Sequence, residues 1–213
     1  MQDYFGLYKK QLDEIVKQKQ EYIQHCGESG YKKPTIFLHS CCGPCSSAVI
    51  EKLKEYFDIT VLYYNPNIYP EAEYLKRKQT QLELLKVLNV KFLDSDYNQN
   101  EYFEFVKGLE QEKEGGKRCN KCFLLRLTKT LELAEKNGFD YFCSTLSVSP
   151  HKNQEILNKI GEAISVNSQV KYLYNNFKKE NGYLQSIKLS KKYGLYRQNY
   201  CGCKFSIWQN GDE

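Results

Sequence analysis

The sequence of 213 residues predicts an α/β fold, a parallel sheet flanked by helices. Three observations carry that reading. Short apolar runs of strand length recur at 35–39, 59–64, 90–93 and 141–146. Between them lie longer stretches with apolar residues at helical spacing, the alternation that crossover helices produce. The segments after the runs are rich in Cys, Asn, Pro, Asp and Ser, and such loops converge on one edge of a parallel sheet, where ligands bind.

Residues 4–25 place Tyr8, Leu12, Ile15, Val16 and Ile23 among Lys, Gln and Glu, a helical stripe that stops at the Gly27 and Gly30 breakers. Residues 1–33 therefore read as an N-terminal accessory helix, 34–168 as the α/β core, and 169–213 as a short helical or irregular tail packing back on it. Thr35–His39 is the first strand. A helix is expected over 46–57 with Val49, Ile50, Leu53, Tyr56 and Phe57 inward. Pro44 suits a first helical position and Gly43 the tight turn before it. The second strand, 59–64, runs into Asn65-Pro66-Asn67-Ile68-Tyr69-Pro70, which is extended before each proline. A long helix over 71–88 should turn Leu75, Leu82, Leu85 and Leu88 inward. The strand 90–93 then closes on Asp94-Ser95-Asp96-Tyr97.

Residues 101–109 suggest a short helix burying Phe103, Phe105 and Val106, broken by Gly115-Gly116. Arg118-Cys119-Asn120-Lys121-Cys122 opens the next helix, whose core face is Phe123, Leu127, Leu131 and Ala134 and whose end is Asn137-Gly138. The fourth strand, 141–146, precedes a helix over 154–164. Loops 40–46, 65–70, 94–97 and 147–153 are predicted to meet, setting the cysteine loop against two aspartates, a tyrosine-rich loop and His151.

No apolar run approaches the roughly 20 residues of a membrane span, and Met1-Gln2-Asp3-Tyr4 opens neither region of a signal peptide. A cytoplasmic protein with no membrane partner is expected. That compartment keeps thiols reduced, so nine cysteines point to metal or redox work instead of a disulfide framework. Their grouping agrees: Cys41, Cys42 and Cys45, then Cys119 and Cys122, then Cys201 and Cys203. Cys26 and Cys143 stand alone and read as small apolar residues. The formal charge of +5 lies wholly in residues 171–213, with eight Lys/Arg against three acidic residues. Tyr172, Tyr183, Tyr196, Tyr200 and Phe205 are interleaved there, a mixture that suits an unpaired nucleic-acid strand.

Cys41, Cys42 and Cys45 sit at a helix start, where unpaired amides favour thiolate. With Cys119 and Cys122 they supply enough sulfur for a zinc ion or an iron–sulfur cluster. The adjacent pair Cys41-Cys42 is a poor zinc knuckle, because neighbouring side chains diverge, and spacing favours the cluster. Cys201-Gly202-Cys203 differs in kind. A disulfide there closes a small strained ring suited to passing two electrons, and the alternative is a pair of ligands to a second metal. Two other readings stand beside these: a zinc-stabilised RNA-binding module, and a metal-free thiol-disulfide oxidoreductase using Cys42-x-x-Cys45.

Leu38-His39-Ser40-Cys41-Cys42-Gly43-Pro44-Cys45, Arg118-Cys119-x-x-Cys122 and Tyr196-Arg197-Gln198-x-Tyr200-Cys201-x-Cys203 together resemble the cobalamin-independent epoxyqueuosine reductases, the QueH family. The resemblance runs from Leu38 to Phe205. It implies a HUP-like α/β fold. It also implies reduction of epoxyqueuosine to queuosine at the wobble base of tRNAs with GUN anticodons (Tyr, His, Asp and Asn), the last step of queuosine biosynthesis, with electrons from an external donor. A [4Fe-4S] cluster is implied on Cys41, Cys42, Cys119 and Cys122, with Cys201 and Cys203 as the catalytic pair, either a redox-active disulfide or ligands of an additional mononuclear iron. Many members carry Asp where this chain has Cys45, so that iron would here have a thiolate ligand from Cys45 or be absent. ATP use is disfavoured, because thiols occupy the loop that cradles phosphate in related pyrophosphatases. Tyr64, Asn65, His151 and Arg197 are the candidates for contact with the substrate, with Tyr63 and Tyr69 as further stacking surfaces. His39, His151 and Asp96 are candidate proton donors.

Overall fold

The computed structural model describes residues 2–209. Its elements in chain order are α1 (Tyr4–Cys26), β1 (Thr35–His39), α2 (Gly43–Leu53), β2 (Asp58–Tyr63), α3 (Glu71–Leu88), β3 (Lys91–Asp94), α4 (Gln99–Phe105), α5 (Lys117–Lys136), β4 (Tyr141–Ser144), α6 (Gln154–Ser165), β5 (Lys171–Tyr172), α7 (Gly182–Lys192) and α8 (Lys204–Gln209). All five strands are parallel, in the order β3-β2-β1-β4-β5. This is the parallel sheet flanked by helices that the sequence predicts. The order reverses direction between β1 and β4, and right-handed crossovers then put α2 and α3 on one face and α5 and α6 on the other.

Sequence explains the strands directly. Ile36, Phe37 and Leu38 of β1 are wholly buried because a central parallel strand is covered on both faces. The helices needed more correction. α2 begins at Gly43, three residues before the expected start, so the second and third cysteines of the loop lie at and inside the helix terminus. In α3 the buried residues are Tyr74, Arg77, Thr80, Gln81, Leu84 and Leu85, whereas Leu75 is exposed. The inner face of this helix is largely polar, and a stripe drawn through leucines therefore misplaces it. Val16 of α1 is exposed as well, and Tyr4 takes its place in the packed stripe. In α4 the buried residue is Tyr102; Phe103 and Phe105 are only partly buried.

The tail is more regular than its composition suggested. β5 has two residues, too few for any alternation to register, yet it closes the sheet edge through Leu173 N–H to the Phe142 carbonyl at 2.9 Å. Helix α7 packs on α2. The Tyr8 ring meets the Phe177 ring edge-on, and Gln11 bonds the backbone at Tyr172 and Tyr174, so α1 covers this stretch. No helix of the described residues is long and apolar enough to cross a membrane.

The contact of α6 with β5 is tight enough to test. A Cβ on Gly161 would fall within 2.5 Å of three ring atoms of the buried Tyr172. Gly161→Ala is expected to lower stability by about 1–3 kcal/mol through overpacking, read as a lower urea midpoint. An unchanged midpoint would contradict the packing described.

Candidate functional site

The site grows out of the turn after β1. Ser40 N–H donates to the Leu62 carbonyl at 2.8 Å, and the Ser40 and Ser46 hydroxyls meet Gln81 Oε1 at 2.6 and 2.9 Å. Both ends of the cysteine loop are thus fastened to α3. At Gly43 a Cβ would stand 3.2 Å from Thr80 Cγ2, so only glycine lets the loop approach α3 this closely without displacement. On the other side, Cys41 N–H donates to Thr145 Oγ1 at 3.2 Å, just beyond β4. This bond crosses the point where strand order reverses, the crevice in which open α/β sheets bind ligands.

So held, the sulfurs of Cys41, Cys42 and Cys45 lie within 4.8 Å of one another. Three thiols this close cannot all ionise. Hydrogen bonds from Cys42 and Cys45 hold Cys41 well below the usual thiol range. The same thiolate pushes Cys42 up to about 12 and raises Cys45. One negative charge is shared over three soft donors.

The tail supplies a second pair. Cys201 Sγ lies 3.7 Å from Lys152 Nζ, whereas Cys203 is buried with its sulfur 3.1 Å from the Tyr102 hydroxyl. Both are free thiols, so the disulfide expected of them is not formed here: each sulfur faces a different partner. Their loop is pinned by α3. Arg77, buried and paired with Glu73 at 2.7 Å, donates to the carbonyls of Cys201 and Tyr200 at 3.2 and 3.3 Å. Tyr69 N–H donates to the Gly202 carbonyl at 2.7 Å, and Ile68 bridges Cys203.

Cys119 and Cys122 occupy the first turns of α5. Gly115 N–H donates to Cys119 Sγ at 3.2 Å, and burial pushes the Cys122 thiol up to about 12. Neither belongs to the close trio of Cys41, Cys42 and Cys45, which among the described residues is the one group of three metal-ligating side chains gathered this tightly. The groups are related electrostatically through Arg126. Its Nε donates to the Cys122 carbonyl at 3.2 Å and its Nη1 to Asn65 Oδ1 at 3.4 Å, while buried Nη2 has no partner. Burial pulls the Arg126 pKa down, but Cys122, Cys201 and Cys41 more than offset it. Lys152 behaves likewise between Cys201 and Cys41.

A cavity of about 720 Å³ lies over these groups. Cys41, Cys45 and Cys201 are in its wall together with Asn65, His151 and Arg197, so the loops 40–46, 65–70 and 147–153 meet as expected. The fourth loop does not join them. Asp94 is taken by Lys78 at 2.6 Å, Asp96 is exposed elsewhere, and Tyr97 only props the Ile68 carbonyl at 2.6 Å. His39 is also outside the wall. It is fully buried, bonded to Ser144 Oγ and the Tyr64 carbonyl, and burial drops its pKa to about 4, so it is a structural hydrogen-bonder, not a proton donor. Tyr63 and Tyr64 are buried in the core and are not part of the wall. Sequence reasoning missed Arg126, Lys152, Gln198 and Arg77. Arg126 had a readable signal, since it lies four residues after Cys122 on the apolar face carrying Phe123 and Leu127, a costly place for an unpaired cation.

The residues fit a thiolate-bound iron–sulfur centre. Polar donors are directed at sulfur: Gln198 Nε2 to Cys42 at 3.1 Å, Gly115 N–H to Cys119, and Thr145 Oγ1 to Cys41 at 3.5 Å. Buried Arg126 and half-buried Lys152 bring positive charge to the cysteine groups, and soft sulfur donors in such surroundings suit iron.

Gly202 is the weak point of the tail loop. Its φ is +98° and a Cβ would stand 2.8 Å from Arg77 Nη1. Gly202→Ala is expected to cost about 1–3 kcal/mol in a urea titration and to make Cys201 several-fold faster to alkylate in the metal-free protein. Wild-type values for both would contradict the anchoring role of Arg77.

Comparison with known proteins agrees with the site. The family model "Epoxyqueuosine reductase QueH" matches residues 36–209. The chain is 43% identical over 185 residues to the epoxyqueuosine reductase QueH of Streptococcus pyogenes serotype M1, covering 84% of this chain and 72% of that one. It is 38% identical over 212 residues to the namesake of Staphylococcus epidermidis, covering 96% and 86%. Against that of Thermotoga maritima it is 34% identical over 182 residues, covering 84% and 93%. Among solved structures, the U34-tRNA thiolase NcsA from Methanococcus maripaludis with its [4Fe-4S] cluster is similar at a TM-score of 0.48 and 11% identity, over 91% of this chain and 69% of that one. At that distance the likeness bears on neither ligand nor activity. The match of the family model across core and tail, and the identity of these relatives over most of their length, place this chain in the epoxyqueuosine reductase QueH family.

Proposed function

We propose that this chain reduces the epoxide of epoxyqueuosine to the alkene of queuosine, at the wobble position of tRNAs with GUN anticodons, in the cytoplasm and with electrons from an external donor. The observation that carries the reading is a single cavity with sulfur in its wall from both ends of a QueH-family chain, Cys41 and Cys45 from the first loop and Cys201 from the tail. A modified base inside an anticodon loop must be swung out to be reached, and a cavity is what receives it.

Loss of an epoxide oxygen as water takes two electrons and two protons. A [4Fe-4S] cluster on Cys41, Cys42, Cys119 and Cys122 would supply electrons one at a time, and an additional iron on Cys45, Cys201 and Cys203 would act as Lewis acid on the departing oxygen. The polypeptide does the rest. Cys201 and Cys203 would hold two reducing equivalents as a dithiol, Cys201 in the cavity wall and Cys203 buried behind it against Tyr102. His151 and Arg197 present donors to the oxygens of the bound nucleoside, while Asn65, donating to the Ser40 carbonyl at 2.8 Å, shapes the wall beneath it, and His151, exposed in that wall, would pass a proton. The ammonium of Lys152 stands 3.7 Å from Cys201 Sγ at this end of the cavity.

Cys201→Ser is expected to cut conversion of epoxyqueuosine tRNA by about 100-fold or more, ~3 kcal/mol of barrier, while the visible absorbance of the anaerobic protein persists. Nucleoside mass spectrometry reads the first and a spectrum the second. Wild-type turnover in that variant would overturn the role given to the tail cysteines.

A further inference from the structure

Helix α7 belongs to the basic, tyrosine-bearing tail and presents a one-sided surface. Its buried residues are Gly182, Ser186 and Ser190, which face α2. Its outward residues are Tyr183, Leu184, Lys188, Lys191 and Lys192, with no acidic residue in the helix. The nearest acid before it, Glu180, is already paired with Lys9 and Lys52. None of Lys188, Lys191 or Lys192 makes an ion pair among the described residues, so the positive charge of this face is uncompensated.

The helix also reaches the cavity. Tyr183 is part of the cavity wall and yet 37% exposed, which places its ring at the rim. The guanidinium of Arg197 lies over that ring at 6.0 Å and is itself in the wall. Arg197 is held there by neutral groups, donating to the Ser186 carbonyl at 3.3 Å and Ser190 Oγ at 3.0 Å. An aromatic face and a guanidinium plane at the mouth of a cavity are the two surfaces on which unpaired bases stack. Leu184, Lys188 and Lys191 follow at i, i+4 and i+7, one stripe along the outward face. Next to Tyr183, Leu184 is 53% exposed, an apolar residue with no partner of its own.

We infer that α7 is the docking helix for the RNA loop that delivers the base: Tyr183 with Arg197 stacks an unpaired base at the rim, and Lys188 and Lys191 take the phosphates beyond it. This rests on the proposed action on tRNA and extends it by naming the surface. A base swung into the cavity leaves its neighbour unstacked, and Tyr183 replaces the lost stacking partner. Phosphates flanking that neighbour then run along the basic stripe and away from the thiols.

The test is binding of an anticodon stem-loop RNA to the anaerobic full-length protein, read by fluorescence anisotropy at several salt concentrations. Tyr183→Ala is expected to weaken binding about tenfold or more, because stacking on one base is worth roughly 1–3 kcal/mol, while Tyr183→Phe stays within about threefold of wild type. Lys188→Ala with Lys191→Ala is expected to flatten the slope of log Kd against log salt by about 1.4, the contribution of two single-strand phosphates. Lys10→Ala, an exposed cation on α1, serves as the control and should bind as wild type. Wild-type affinity in Tyr183→Ala, or a wild-type slope in the double variant, would overturn the inference. A wild-type protein that converts epoxyqueuosine tRNA while these variants bind normally would overturn the docking surface alone. A wild-type protein that neither binds nor converts it would instead overturn the proposed function.

Discussion

Sulfur atoms gathered at the end of a sheet repel one another once they ionise, and the molecule rests on two cations that offset this, Arg126 buried and Lys152 half-buried. Arg126 comes from α5, which leads into β4, and Lys152 from the loop between β4 and α6, so both cations flank β4 at the strand-order reversal. Arg126 feels Cys41, Cys122 and Cys201, one thiol from each of the three cysteine groups. Lys152 stands between Cys41 and Cys201. Desolvation disfavours both cations, and the neighbouring sulfurs more than offset it. The unpartnered Nη2 of Arg126 is the residue of this arrangement that the polypeptide alone does not satisfy.

The second constraint is positional. Three of the loops that form the site hang from strands whose spacing the sheet fixes, but the Cys201–Cys203 loop has no strand beneath it. Arg77 takes over that task from α3, and its own charge is neutralised by Glu73. Tyr196 bonds the same carboxylate at 3.1 Å, and the ammonium of Lys76 lies 3.7 Å from the centre of its ring. The polar inner face of α3 is therefore explained by what it carries. A helix that holds a loop by its carbonyls needs donors where a core helix would place leucine.

Much of this was legible in the sequence for reasons that can be named. The strands at 35–39 and 141–144 show because buried parallel strands are continuously apolar. The convergence of 40–46, 65–70 and 147–153 follows from parallel topology alone. The inner face of α3 did not show, because Arg77, Thr80 and Gln81 are buried for their hydrogen bonds and no hydrophobic pattern marks that. β5 was invisible for want of length. Tyr64 looked like a stacking surface because it ends a strand run, yet an inner parallel strand is covered on both faces, and Tyr63 and Tyr64 are both buried. His39 was misread for a similar reason: adjacency to the cysteines in sequence says nothing of whether an imidazole reaches the cavity.

All of these features converge on cysteines gathered at the reversal of the sheet, where the proposed iron–sulfur centre would be held. Iron and acid-labile sulfide analysis of anaerobically purified protein, with its visible spectrum, tests that most directly. About four iron and four sulfide per chain, in a brown protein, is the predicted result. A colourless protein containing zinc in their place would contradict it.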